Sequence, residues 1–454
     1  MRPSTFALLF ALLFSSAQAQ VSEELATALQ DKIDEFIVNE DLKGISAAIL
    51  YPDGSLWRGT AGESHAEQPI TQDMLFGIAS ITKTYTSTTV LSMYEEGLLT
   101  LDDSIHTYLN TFDNIDPNVT IRQLLNHSSG IYNYTQHPNW YDSMLDDNSR
   151  IWEQEELIEE FVNPPYFAPG TNWTYSNTNY ALLGMIVESI SGNLLSDEYI
   201  SRIFEPAGLD STFLDIEQSH YDLYAHAWDD YYGNGIIEDW DALGISRNSL
   251  WSMSGPAGGI VATASQVAKF SKALLHDQTI LSQSTLDEMT DFTATDVEYG
   301  FGIYATSSGC ENWIGHKGVL IYESNWAYLP SGISIVILHN QYADNISYDE
   351  MVELCQVVED FATSTDDIAT LESAVDVYPN PAVNQFTISG LNELGERVIE
   401  ISVIDPLGRS LLNIVATTGQ DLMELNATEI PTGIYFVILK TESTRITKKL
   451  IIRK

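Results

Sequence analysis

The chain has 454 residues, 44% hydrophobic and 19% charged, proportions of a globular protein with material for two or three domains. Its 64 acidic and 20 basic residues give a formal net charge of -44, which argues against nucleic acid or anionic membrane as a partner. Such an excess fits a secreted protein kept soluble in salty surroundings.

Residues 1–19 carry one basic residue, an apolar run from Phe6 to Phe14 and the small-residue pattern Ala17-Gln18-Ala19. The run is too short to cross a bilayer and reads as a signal peptide, with the mature chain starting near Gln20. No later stretch reaches transmembrane length, so no membrane span is expected in the mature chain; "ISIVILHN" is strand-sized and soon meets His339 and Asn340.

Residues 20–362 read as one mixed domain. "ATALQDKIDEFIVNE" has helical periodicity, and "GISAAILYPDGSLWRGTAGE" predicts two strands joined at Pro52-Asp53-Gly54. A helix is predicted from Ser80 to about Glu96, ending at Gly97, although its threonine-rich middle has poor helix propensity and needs tertiary packing to hold it.

Ser80 lies three residues before Lys83, the only lysine between Lys43 and Lys269. On a helix that spacing puts both side chains on one face. A serine at a helix N-terminus can use backbone N–H groups to stabilise an oxyanion, and a lysine can serve as its base once burial lowers its pKa. "FAPGTNWTYSNTNYALLG" then supplies Tyr175, a possible proton relay, and Asn177, whose carboxamide can orient a lysine and bind a substrate amide. A helix is predicted to follow from near Tyr180.

In "DDYYGNGIIEDWD" the spacing of acidic residues around Asn234-Gly235 departs from a calcium loop, so neither metal nor cofactor is expected. Strand patterns return in "YGFGIYATS", "WIGHKGVL", "SNWAYLP" and "ISIVILHN". Within them His316, Lys317 and Gly318 lie on one strand, where a glycine marks close approach of a ligand or backbone. The N–H of Val319 could join that of Ser80 in an oxyanion hole. A closing helix is predicted in "SYDEMVELCQVVEDFA". Early and late strands around a helical middle imply an α+β fold: an antiparallel sheet of five or more strands flanked by helices, with a mainly helical subdomain.

Residues 363–374 are small, polar and acidic, and read as a linker. Residues 375–454 show short strands with regular turn signals and predict a small all-β sandwich. Six of the 20 basic residues fall at its end, from Lys440 to Lys454, marking a docking surface or an edge strand protected by charge. The only two cysteines, Cys310 and Cys355, could form a bridge or stay separate buried thiols.

The Ser-x-x-Lys, Tyr-x-Asn and His-x-Gly elements, with "LFGIASITK", "GLLTLDDSI", "IRQLLNHSSGI" and "PAGGIVATASQVAKF", resemble the penicillin-recognising serine hydrolases. The closest branch holds class C β-lactamases, D-alanyl-D-alanine carboxypeptidases, D-aminopeptidases and related esterases. The resemblance implies an acyl-enzyme on Ser80, with Lys83 as base, Tyr175 as proton relay, Asn177 contacting substrate and lysine, and His316 assisting. Lys317 stands where these families usually keep a hydroxyl residue that grips a substrate carboxylate; it either replaces that group as a point charge or points away. Small esters, amides or D-amino-acid peptides are therefore expected ahead of β-lactams.

The alternatives are a β-lactamase, or an inactive surface protein binding peptide or wall fragments. The C-terminal sandwich resembles, in "VYPNPAVNQFTISG" and "IDPLGRSLL", the sorting domain of the type IX secretion system of Bacteroidota. That implies secretion machinery as a partner and a final location outside the cell.

Overall fold

The computed structural model describes residues 21–293, 297–306, 312–343, 346–362, 375–394, 398–415, 422–441 and 445–454. The expected signal peptide, the linker and Cys310 lie outside these. Cys355 is buried and disulfide-bonded.

Seven strands form the main sheet, in the order Gln68–Pro69, Leu56–His65, Gly44–Leu50, Ser334–His339, Glu323–Tyr328, Trp313–Val319, Tyr304–Thr306. Every pairing is antiparallel. The two ends of the predicted domain meet at the centre, where Ala47 pairs with Ile337 and Ala48 with Val336.

Side chains alternate across a strand, so each central strand feeds two cores. Ile45, Ala47, Ile49, Ile335 and Ile337 pack with Leu29, Ile33, Leu354 and Val358 of the helices Glu23–Asn39 and Ser347–Ala362. Ala48, Leu50, Val336 and Leu338 face the larger core of the helical middle. This two-sided burial explains why these strands read as near-continuous apolar runs.

The predicted helix after "AS" begins with a 3₁₀ turn, Ala79–Ile81, and continues as α-helix over Thr82–Glu95. All residues from Thr82 to Leu91 are buried. The threonines survive there because their hydroxyls find carbonyls: Thr84 donates to Gly302 at 2.7 Å, Thr88 to Thr84 at 2.7 Å and Thr89 to Tyr85 at 3.1 Å. Gly97 follows at φ 72°, the left-handed geometry expected beyond a helix end.

The helix expected from near Tyr180 starts earlier and spans Asn177–Ser191. The strand expected across "YGFGIYATS" is confined to Tyr304–Thr306, because Gly302 turns at φ 70° immediately before it.

From residue 375 on, a three-stranded sheet (Asp376–Tyr378, Gln385–Ser389, Leu422–Asn426) faces a four-stranded one (Ser410–Val415, Glu400–Ile404, Gly433–Lys440, Arg445–Ile452). Phe386, Ile388, Val403, Val437, Leu439 and Leu450 fill the space between them. Arg445–Ile452 is an edge strand. Among the described residues no helix is long and apolar enough to cross a membrane.

Candidate active site

Ser80 sits on a strained corner. Ala79 before it holds φ 45°, a left-handed conformation that a side chain disfavours. The 3₁₀ turn then aims Ser80, half-buried, at the buried Lys83. Lys83 Nζ lies 3.1 Å from Ser80 Oγ and 2.7 Å from the Ala257 carbonyl oxygen. The rings of Tyr175 and Tyr180 lie with their centroids 4.8 Å and 5.5 Å from the same nitrogen.

The carbonyl is available because its helix is broken. Asn248–Gly258 kinks at Gly255, with φ 37° and ψ -122°, and Pro256 follows. Two carbonyls turn toward the helix Thr82–Glu95: Pro256 accepts from Thr86 at 2.6 Å and Ala257 accepts from Lys83. Lys83 thus has two hydrogen bonds, and no carboxylate partner among the described residues. Burial pushes its pKa well below the usual lysine value.

Gly318 packs against the corner. A Cβ there would stand 2.2 Å from the Ile78 carbonyl oxygen and 2.8 Å from the Ser80 nitrogen. Only glycine lets this strand come so close to the N–H of Ser80. Ser324 on the next strand donates to the same Ile78 carbonyl at 2.8 Å, fixing the approach. The strand register with Tyr304–Thr306 ends at Gly315.

His316 is buried. Its Nδ1 lies 2.6 Å from its neighbour's carbonyl, that of Lys317, and its Nε2 3.0 Å from Tyr299 Oη. A carbonyl only accepts, so Nδ1 carries the proton and the Tyr299 hydroxyl donates to Nε2. Burial above all pulls its pKa down to about 3, so the imidazole is neutral. Lys317 is exposed and, by strand alternation, on the face opposite His316 and Gly318. Its carbonyl, rather than its ammonium, reaches the site.

Tyr175 hydrogen-bonds Ser80, and burial raises its pKa far above the phenol value, with the Ser80 bond acting in the other direction. Asn177 departs from the expected contact with Lys83: its Nδ2 donates to Thr135 Oγ1 at 3.0 Å, and its N–H to Asn133 Oδ1 at 3.0 Å. The lysine position is filled by Ala257 because the kink delivers a carbonyl there.

Two residues without an assigned role in the sequence reading stand out. His127, fully buried at φ 63°, accepts at Nδ1 from the Ser176 N–H at 3.2 Å and Asn179 Nδ2 at 3.1 Å. It therefore clamps the turn carrying Tyr175, and its ring stands 4.4 Å from that of Tyr175. Tyr299 is the other; "YGFGI" was the only signal for it, as "NHSSG" was for His127.

In the acidic loop, Asp230 accepts from the N–H groups of Asn234 and Gly235 at 2.8 Å and 2.7 Å, closing its own turn. His226, Asp239 and Asp241 come together nearby. Asp241 is paired there with the buried Arg247, and Asp239 with His226, so this cluster carries no argument for a metal.

A serine and a buried lysine on one helix, facing a glycine strand of an antiparallel sheet, define the class. Residues 29–352 match the Beta-lactamase family, and the chain belongs to it. Residues 376–453 match the Secretion system C-terminal sorting domain, which indicates export by the type IX system.

Among curated relatives, "Penicillin-binding protein 4*" of Bacillus subtilis (strain 168) is 27% identical over 58% of this chain and 63% of its own length. "D-aminopeptidase" of Brucella anthropi is 26% identical over 56% of this chain and 46% of its own. The chain thus spans about half to two thirds of these relatives. Among solved structures, a D-stereospecific amidohydrolase from Streptomyces sp. superposes with TM-score 0.62 and 27% identity over 72% of this chain and 97% of that one.

Proposed function

We propose that the protein is an exported serine hydrolase that forms an acyl-enzyme on Ser80 and acts on small amides, esters or D-amino-acid peptides. The observation that carries this reading is Lys83 Nζ, buried with no carboxylate partner among the described residues and held 3.1 Å from Ser80 Oγ.

Lysine and tyrosine compete for the role of base, and their environments separate them. Burial favours the neutral form of each group, which for Lys83 is the free amine and for Tyr175 the phenol. Only the amine offers a basic electron pair, so Lys83 takes the Ser80 proton as Oγ attacks the substrate carbonyl. The oxyanion forms between the N–H groups of Ser80 and Val319. Tyr175, bonded to Ser80, then passes a proton to the leaving amine or alkoxide, and Lys83 replaces it. Water hydrolyses the ester by the reverse relay.

Neutral His316 adds no charge to oppose the ammonium that forms on Lys83. The missing hydroxyl at position 317, whose lysine faces away from the site, and the relatives named D-aminopeptidase and D-stereospecific amidohydrolase favour those substrates over β-lactams.

A fluorophosphonate probe followed by intact-mass measurement tests the reading. One adduct is expected, absent in Ser80→Ala; an unlabelled wild type would leave a binding protein in its place. In a panel of p-nitrophenyl esters, D-amino-acid amides, D-Ala-D-Ala peptides and nitrocefin, nitrocefin is expected to be the slowest.

A further inference from the structure

In the four-stranded sheet of the C-terminal sandwich, the central strand Gly433–Lys440 is apolar on both faces. Along Gly433–Lys440, Tyr435, Val437 and Leu439 point into the sandwich core, while Ile434, Phe436 and Ile438 point the other way. A free-standing sandwich puts polar residues on that outer face. Here Ile404, Leu407, Ile434, Phe436 and Ile438 are all buried within the core cluster of the hydrolase domain, Phe436 to 2% exposure.

Polar contacts frame the patch. Arg409 pairs with Asp287, and Lys449, directly opposite Phe436 on the edge strand, places Nζ 2.8 Å from both Glu298 carboxylate oxygens. Gly408 approaches so closely that a Cβ would stand 3.0 Å from the Pro330 carbonyl oxygen. Part of the terminal basic cluster is thereby a docking contact.

Glu298 is one residue from the site. It holds φ 52°, and its carbonyl accepts from Ala305 at 3.0 Å, closing the base of a hairpin. That hairpin carries Tyr299, which donates to His316, and Tyr304, whose ring centre lies 5.2 Å from that of His316.

We infer that the outer face of the C-terminal sheet is a docking surface for the hydrolase domain of the same chain. It holds when the covalent connection between them is cut, and it fixes the hairpin that positions His316. Glu298 and Lys449 are positioning residues, acting through Tyr299.

The full chain with a protease site inserted between Thr363 and Ala374 tests this. After cleavage, the two pieces of the wild type are expected to travel as one species in size-exclusion chromatography at micromolar concentration. Phe436→Asp, on the face away from the sandwich core, is expected to separate them. Lys449→Glu should weaken the association and Glu298→Lys should restore it in the double variant.

Separation of the cut wild type would overturn the inference whatever the protein hydrolyses. Undocking is expected to lower kcat/KM about tenfold or more, through kcat, by misplacing His316; an unchanged rate in the separated hydrolase piece would overturn the positioning role.

Discussion

At the scale of single residues, the site is a lysine kept neutral by its surroundings. Its folded pKa lies below its unfolded value because burial penalises the ammonium. Activity is therefore expected to rise with pH as Lys83 loses its proton, and then to level. Lys83→Arg, charged at every working pH, should lower kcat/KM by about 10³-fold and rescue at no pH.

In the window between the two pKa values the unfolded chain holds a proton that the folded chain does not, so this group opposes folding there and opposes it less as pH rises. Lys83→Met should thus be inactive yet melt at a higher temperature near neutral pH, with the difference shrinking toward alkaline pH. Equal melting temperatures across that range would show that Lys83 carries no desolvation penalty.

Ser80 and Lys83 were legible because a serine and a lysine three apart on a helix share a face whatever the fold. Ala257, which holds the lysine, was not. Its part is played by a carbonyl that any residue possesses, turned toward Lys83 by a kink at Gly255.

At the scale of elements, the sheet was legible because Gly44–Leu50 and Ser334–His339 keep strand-length apolar runs, and their pairing joins the two ends of the domain. The helix Thr82–Glu95 was harder: the threonine run opposes helix formation, and what offsets this is hydroxyls reaching Gly302 and Pro256, far along the chain. His127 and Tyr299 escaped for the same reason, since aromatic rings assemble around Tyr175 only after folding.

The contact between the Gly318 strand and the Ser80 corner gives the sharpest test. Gly318→Ala must move either the strand or the Ser80 N–H, because a Cβ at 2.2 Å from Ile78 O fits neither. The expected result is a loss of about a hundredfold or more in kcat, the worth of one oxyanion donor, with a modest fall in melting temperature. Retained kcat would mean that the Ser80 N–H takes no part in binding the oxyanion.

At the scale of the whole molecule, the net charge of -44 sets two effects against each other. Like charges spread over the surface repel and destabilise the compact state, whereas ion pairs such as Arg202–Glu96 and Lys449–Glu298 stabilise it. Exposed pairs are worth about 0–1 kcal/mol each, and only 20 basic residues are available to form them. Forty-four carboxylates have no basic residue to match, so self-repulsion should win. Salt screens both, but the repulsion acts over longer distances and is screened first. From about 0.01 M to about 1 M NaCl the Debye length shrinks from about 30 Å to about 3 Å. The melting temperature of the full chain is therefore expected to climb across that range, most steeply at its lower end. A falling curve in differential scanning calorimetry would mean that the ion pairs outweigh the repulsion, those joining the sandwich to the hydrolase domain included.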